Sequence, residues 1–248
     1  MRTAATAGVG VLAAAAAAQV VPAGSWLPGV RQFFPALCGA GRPDHVALTF
    51  DDGPDPVSTP HFLDALEALD VRATFFVVGE HVQAAPALAR RIVEGGHELG
   101  IHAFRHRYTF TNSPRLARCI DVVEDVTGVR PLWFRPPYGV LSATAYVEAR
   151  RHGLRPVLWT AWARDWERGV TTADVLRRID PGITGGATLL LHDGSECTAP
   201  GAWRAACAAL PEVVGRARAR GLAVGPLREH AVRPRRRERP PFAQAGGG

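Results

Sequence analysis

The sequence predicts a single α/β domain with about seven parallel strands, built either as an α/β barrel or as a doubly wound sheet. Strand-like runs alternate with helix-like segments from His45 onward, which is typical of parallel strands joined by crossover helices. The chain has 248 residues, of which 47% are hydrophobic. It is therefore long enough for one domain with a sizeable core, and global disorder is excluded.

The first half of this alternation is marked by clear local signals. Residues 45–50 form a short strand-like run, and the amphipathic segment 59–69 is predicted to be a helix. Residues 72–78 are β-branched and aromatic, which favours a strand. A second helix is predicted at 84–94, because Gly95 and the glycine after it provide a stop signal.

The second half continues in the same way, with glycine and proline separating the segments. Further strands are predicted at 97–103, 132–135, 156–162, 187–191 and 222–224, and further helices at 114–126, 143–151, 173–179 and 203–220. Polar residues recur at the ends of the strand-like runs or shortly after them: Asp51, His102, Arg135, Asp165 and His192. In an α/β barrel the carboxyl ends of the strands converge on one face, where active sites are built.

The two ends of the chain differ from this body. Residues 1–23 resemble a signal peptide, with Arg2 before an apolar run and small residues after it. The run is rich in alanine and carries one charge, so a short membrane anchor or a plain helix stays open. Residues 24–43 are predicted to be a linker, and residues 44–230 the folded domain. We expect an extracellular or envelope-attached protein, with a cytoplasmic location as the alternative.

Charge is concentrated at the ends. The net charge is +6, of which residues 1–43 carry +3 and residues 233–239 carry +4, so the body is close to neutral. A nucleic-acid-binding domain normally has a basic face of its own, and this body has none, which argues against a nucleic-acid partner.

The basic tail, residues 231–248, is predicted to be disordered, or to associate weakly with an anionic wall polymer or membrane surface. We expect a monomer.

Cysteine spacing excludes one kind of metal site. The four cysteines contain no CxxC pair, so a structural zinc knuckle is not expected. Cys197 and Cys207 have a spacing that allows a disulfide in an exported protein, whereas both stay thiols in the cytosol. Cys119 lies in a predicted helix and is interpreted as a buried, inert thiol.

Two clusters carry candidate chemistry. Asp51 and Asp52 are adjacent carboxylates at a strand end, where a cation would relieve their repulsion. The turn that follows lets one bind a metal while the other acts as a base; an ordinary Asp-Gly-Pro turn is the alternative. His102 and His106 have the spacing of a metal-binding pair, with two surface histidines as the alternative. Together with Asp52 they would leave the fourth position of a tetrahedral zinc open to water.

These clusters and three further motifs resemble the NodB-homology polysaccharide deacetylases, carbohydrate esterase family 4. The hallmark motif TFDDGP is present at 49–54, followed by the His102–His106 pair. The other motifs follow in the family's order at 135–139, 165–166 and 190–192. The match covers about residues 44–230. It implies a distorted (β/α) barrel.

The resemblance also implies roles for individual residues. Asp51 would be the general base and His192 the general acid, and the backbone N–H of Tyr138 would help hold the oxyanion. Arg135 would position Asp51, and Asp165 would orient Arg135.

The resemblance implies a metal and substrate contacts as well. Asp52, His102 and His106 would bind a divalent metal, most simply zinc, with cobalt or another divalent ion as alternatives. Trp166 and Pro136 would contact the substrate. Ala103 departs from the family pattern, which has Ser or Thr after the first metal-binding histidine.

The expected activity is metal-dependent removal of N-acetyl groups from a glycan such as peptidoglycan or a chitin-like oligosaccharide. The same oxyanion chemistry serves an O-acetyl ester on xylan or a non-sugar amide, so both remain alternatives. A catalytically silent glycan-binding protein is the third. The complete set of acid, base and metal-binding residues argues against it.

Overall fold

The computed structural model describes residues 33–109 and 113–232, and it confirms the α/β fold. The strands are β1 (His45–Asp51), β2 (Thr74–Val78), β3 (Glu98–Ala103), β4 (Trp133–Phe134), β5 (Arg155–Pro156), β6 (Ala161–Trp162), β7 (Thr188–His192) and β8 (Ala223–Gly225). The helices are α1 (Thr59–Ala68), α2 (Gly79–Ala84), α3 (Pro86–Glu94), α4 (Leu116–Thr127), α5 (Ala143–Arg151), α6 (Thr172–Ile179) and α7 (Trp203–Ala219). Short 3-10 turns lie at Pro137–Gly139, Asp180–Gly182 and Leu227–Glu229.

All strand pairs are parallel, and the sheet is strongly curled. Its order is β5-β4-β3-β2-β1-β7-β6, with β8 paired to β1 outside this path. In a flat sheet the two outer strands would lie roughly 29 Å apart, at about 4.8 Å per strand. Only residues 157–160 connect β5 to β6, and this connection reaches at most about 18 Å. The sheet therefore curls into a distorted barrel.

The strand predicted at residues 156–162 is wrong because the curled sheet brings its two edges together at this segment. Residues 156–162 form two short strands at opposite edges of the sheet, not one continuous strand. Between them the backbone leaves the sheet: the N–H of Leu158 donates to the carbonyl of Leu37 at 2.7 Å, and the carbonyl of Leu158 accepts from the Arg135 side chain at 2.8 Å. The barrel is thus completed at this point by an irregular segment.

The segment just before the predicted domain start at residue 44 contacts the folded body. Besides the contact of Leu37, the N–H of Gly41 donates to Gly186 at 3.0 Å, and the Thr188 hydroxyl donates to the Gly39 carbonyl at 2.6 Å. The last part of the predicted linker therefore belongs to the folded body. The predicted leader (1–23), the linker up to residue 32 and the tail from residue 233 lie outside the described residues. No described helix has the length and hydropathy of a membrane span.

Successive side chains of β1 point to opposite faces of the sheet, so one face contributes to the main core and the other leads to the candidate site. Val46, Leu48 and Phe50 belong to the main hydrophobic core, which includes residues of the surrounding helices. Ala47 belongs to a smaller apolar cluster on the other face of the strand. Side chains two residues apart share a face, so this second face continues through Thr49 to Asp51 at the carboxyl end of the strand.

A buried contact between His45 in β1 and His230 near the end of the described chain predicts that the protein is less stable at acid pH. His45 Nδ1 and His230 Nδ1 are 2.9 Å apart, and His230 Nε2 lies 3.2 Å from the carbonyls of Gly39 and Gly186. Carbonyls only accept, so Nε2 carries a proton and a neutral His230 accepts from His45. Burial and His45 lower the pKa of His230 to about 4, and burial lowers the pKa of His45.

We therefore expect the free energy of unfolding to decrease as the pH falls from about 6.5 towards 4. In this window the unfolded chain takes up protons that the folded protein excludes, which at His230 costs on the order of 3 kcal/mol of stability between its ordinary pKa and about 4. Chemical denaturation across this pH range should show a smaller decrease for His230→Asn than for the wild type. An equal decrease in both proteins would contradict the assignment.

Candidate active site

The carboxyl ends of the strands bring the predicted polar residues together. Asp51 and His192 end the neighbouring strands β1 and β7 and are partners in their register. His102 lies in β3, Arg135 directly follows β4, and Asp165 follows β6. Asp51, Asp165, His102 and Arg135 are buried, although their residue types are usually exposed, so the structure must satisfy their charges locally.

The backbone after β1 turns both adjacent carboxylates towards one cavity. Consecutive side chains of a strand point to opposite faces, but Asp52 has a left-handed backbone with φ 80°. As a result Asp51 and Asp52 line the same cavity. Gly53 is required here, because a Cβ at this position would lie 2.2 Å from the Asp193 carboxylate.

The Asp52 carboxylate faces the two predicted histidines. Its Oδ1 atom is 3.3 Å from His102 Nε2 and 3.2 Å from His106 Nε2. Ligands of a tetrahedral zinc lie about 3.4 Å apart, given bonds of about 2.1 Å. Potential ligand atoms of Asp52, His106 and Cys197 also lie within 4.8 Å of one another. We refer to Asp52, His102 and His106 as the metal-binding group, beside which Cys197 lies.

The protonation states of Asp52 and His106 favour binding of a cation. Burial opposes the charge of Asp52, but its contact with His102 and the electrostatic effect of His192 keep the pKa of Asp52 well below its ordinary value. Burial and His102 lower the pKa of His106 to about 4, so it is neutral. His102 Nδ1 lies 2.7 Å from the Arg135 carbonyl, to which it donates, so a neutral His102 has its lone pair on Nε2. Oδ1 of Asp52 is buried without a hydrogen-bond partner among the described residues. A carboxylate facing two imidazole lone pairs fits a divalent metal.

Arg135 is fully buried and binds the carboxylate of Asp51. Its Nη1 atom donates to Asp51 Oδ1 at 2.7 Å and to the Thr49 hydroxyl at 2.8 Å. Its guanidinium carbon lies 4.0 Å from the centre of the Phe76 ring, a cation–π contact inside the barrel. These contacts fix Asp51 in one orientation.

Asp165 contacts His192 and not Arg135, so its expected role in orienting Arg135 is wrong. Asp165 Oδ1 is 2.9 Å from His192 Nδ1, and Oδ2 accepts from the His192 backbone N–H at 2.8 Å. The Arg135 guanidinium already uses Asp51, Thr49 and a carbonyl. Burial opposes the charge of His192, but the contact with Asp165 and the negative charges of Asp52 and Asp51 raise the pKa of His192 to about 9. His192 is therefore protonated at neutral pH.

The turn after Arg135 places Tyr138, but not Pro136, in the wall of the cavity. Tyr138 has a left-handed backbone with φ 60° inside the 3-10 turn and lines the cavity. Pro136 is buried at the start of this turn and is absent from the cavity wall. The expected substrate contact of Pro136 is therefore not supported, because this residue is buried outside the lining of the cavity.

Aromatic rings form the walls of the cavity, which has a volume of about 220 Å³. Trp166 packs edge-on against His192 with ring centres 5.1 Å apart, and Trp162 lies 5.2 Å from Trp166. On another side Tyr108 stacks on Tyr138 at 4.1 Å. Trp162 is 38% exposed, so the aromatic surface continues to the solvent.

Sequence reasoning missed the position of Cys197. Its Sγ atom is 3.0 Å from His106 Nδ1, whereas Cys207 donates to the carbonyl of His61 at 3.6 Å. Both are thiols, and the suggested disulfide between them is not formed. No spacing pattern links Cys197 to His106, because the contact joins loops 91 residues apart. Cys119 is a buried thiol, as predicted.

Comparisons with known proteins agree with this geometry. The family model described as polysaccharide deacetylase matches residues 39–157. A peptidoglycan-N-acetylglucosamine deacetylase of Bacillus cereus is 35% identical over 158 residues, which cover 60% of this chain and 72% of the relative. A chitooligosaccharide deacetylase of a Bradyrhizobium species is 40% identical over 165 residues, covering 60% and 70% respectively.

A solved structure extends the similarity to nearly the whole described body. It is a peptidoglycan N-acetylglucosamine deacetylase crystallised with a naphthalenyl N-hydroxybenzamide. It superposes with a TM-score of 0.75 at 26% identity, covering 86% of this chain and all of the other. The chain therefore belongs to the polysaccharide deacetylase family, with the distorted barrel of those enzymes.

Proposed function

We propose that this protein is a metal-dependent hydrolase that removes N-acetyl groups from a glycan such as peptidoglycan or a chitin-like oligosaccharide, at or outside the cell envelope. One observation carries the proposal: the ionised Asp52 faces two imidazoles, between a carboxylate held by Arg135 and a protonated His192 held by Asp165. This arrangement provides a metal-binding group, a proton acceptor and a proton donor in one cavity.

Asp52, His102 and His106 would hold the ion. A mixed set of two nitrogens and one oxygen suits zinc, with cobalt or another divalent ion as the alternative. When bound, the ion supplies a Lewis acid that polarises the acetyl carbonyl and lowers the pKa of water. Cation binding also removes the electrostatic cost of the unpartnered Asp52 oxygen.

Asp51 is the proton acceptor of the proposal. Its Oδ1 atom is occupied by Arg135 at 2.7 Å, whereas Oδ2 lies 4.0 Å from His102 Nε2, on the side of the metal-binding group. Oδ2 therefore accepts the proton of the water that attacks the acetyl carbon. The Tyr138 N–H donates to the oxygen that becomes negatively charged in this step.

His192 is the proton donor. Its Nδ1 proton is held by Asp165, so the proton on Nε2 passes to the nitrogen of the substrate as the carbon–nitrogen bond breaks. The products are acetate and a free amino sugar. Protonation is needed because the nitrogen would otherwise have to leave as a strongly basic amide anion.

The aromatic walls support a sugar substrate. Sugar rings present apolar faces that pack on aromatic side chains, and Trp162 and Trp166 offer such faces next to His192. The named relatives act on peptidoglycan and chitooligosaccharides, whose acetyl groups are amides of glucosamine. This favours an N-acetylated glycan over an O-acetylated one.

Acetate release from a panel of glycans tests the proposal. We expect the purified protein to release acetate from N-acetylglucosamine oligomers or peptidoglycan, to lose this activity after chelation and to regain it with zinc. Metal content is measured on the same samples. Acetate released only from acetylated xylan would identify an esterase, and no release from any substrate would indicate a silent glycan-binding protein.

A further inference from the structure

The Cys197 thiol lies next to the second histidine of the metal-binding group. Its Sγ atom is 3.0 Å from Nδ1 of His106, the ring nitrogen that does not face Asp52. The His106 ring also packs edge-on against Tyr138, with ring centres 4.4 Å apart. The thiol and the tyrosine ring therefore confine His106, while the unpartnered Asp52 Oδ1 lies in front of its Nε2.

The two histidines are thus held in the same manner by different groups. His102 directs Nε2 at Asp52 and donates Nδ1–H to the Arg135 carbonyl at 2.7 Å. His106 also directs Nε2 at Asp52, and its Nδ1 faces Cys197. In metal sites such a second partner fixes the tautomer and the ring orientation of the ligand.

The loop that carries Cys197 is also connected to Asp52, through Glu196 and His81. Glu196 Oε2 lies 2.9 Å from His81 Nε2, and His81 Nδ1 donates to the Asp52 carbonyl at 2.9 Å. Two consecutive residues of this loop thus connect to Asp52 and to His106. The position of the thiol is therefore coupled to the metal-binding segments.

We propose that Cys197 is a positioning residue of the metal site, whose sulfur accepts the Nδ1 proton of His106 and so presents the Nε2 lone pair to the ion. This inference rests on the metal site of the proposed function. Sulfur is a weak acceptor, but among the described residues it is the hydrogen-bond partner of this nitrogen. A serine hydroxyl retains an acceptor at this place, whereas an alanine does not.

Zinc affinity tests this role without relying on catalysis. The dissociation constant is measured by competition with a chelator for the wild type, Cys197→Ala, Cys197→Ser and the matched control Cys207→Ala. We expect Cys197→Ala to bind zinc about tenfold more weakly or worse, as for other partners of metal-bound histidines. Cys197→Ser should stay near the wild type, and Cys207→Ala should equal it.

Two results would overturn the inference while leaving the metal site intact. One is an unchanged zinc affinity in Cys197→Ala. The other is a sulfur-to-cobalt charge-transfer band in the cobalt-loaded wild type that disappears in Cys197→Ala, which would make the thiol a ligand. Asp52→Asn is measured alongside: if it binds zinc as tightly as the wild type, the proposed metal site itself fails.

Discussion

Asp51→Asn is expected to lower kcat/KM for acetate release by about a hundredfold or more. The amide has nearly the shape of the carboxylate but cannot accept the proton of the attacking water, and general-base catalysis commonly contributes factors of this size. Its oxygen can still accept from Arg135, in place of the Oδ1 contact at 2.7 Å. Zinc content should be retained, because Asp52, His102 and His106 are unchanged.

Asp64→Asn is the matched control for this experiment. Asp64 is an exposed carboxylate of α1 that pairs with Arg91 at the surface, so its loss should leave kcat/KM within error of the wild type. Rates are compared per zinc-loaded, folded molecule, determined from metal content and thermal unfolding. Wild-type activity in Asp51→Asn would show that another group is the base.

The fold was predictable because its signals are local and repeated. The alternation of β-branched runs with amphipathic segments needs only short windows of sequence, and all six predicted helices are present. The strand predicted at 156–162 failed because two edges of the curled sheet meet there, and this closure depends on Leu37 and Arg135, which are distant in sequence. Periodicity within one window contains no information about such contacts.

The members of the candidate site were easier to predict than their partners. Asp51, His102 and His192 follow strand signals and stand in ordered motifs, so topology alone brings them to one edge of the sheet. The partner of Asp165 was predicted wrongly, since a motif does not state which of two nearby cations a carboxylate will reach. Cys197 was missed because its contact with His106 arises from loop packing and has no sequence pattern.

Arg135→Gln is expected to lower the free energy of unfolding by about 3–5 kcal/mol, because it leaves the buried Asp51 without its cation. Arg135 is fully buried, and Asp51 is 3% exposed, so bulk water screens the unpaired carboxylate poorly. The shorter glutamine also gives up the contact with Phe76. Chemical denaturation of the purified variant measures the loss. A change below about 1 kcal/mol would mean that the pair contributes no more than a surface ion pair.

A double-mutant cycle separates the ion pair from the packing loss. The cavity beside Phe76 is present in Arg135→Gln and in the Asp51→Asn/Arg135→Gln double variant, so its cost cancels in the coupling energy. In the double variant a neutral amide faces a neutral amide, and no unpaired charge is buried. The double variant should therefore be more stable than the sum of the single losses implies, by on the order of 1–3 kcal/mol. The exposed pair Arg91–Asp64 provides the comparison, with an expected coupling below about 1 kcal/mol. Additive losses at Asp51 and Arg135, within about 0.5 kcal/mol, would show that Arg135 does not act on the site through Asp51.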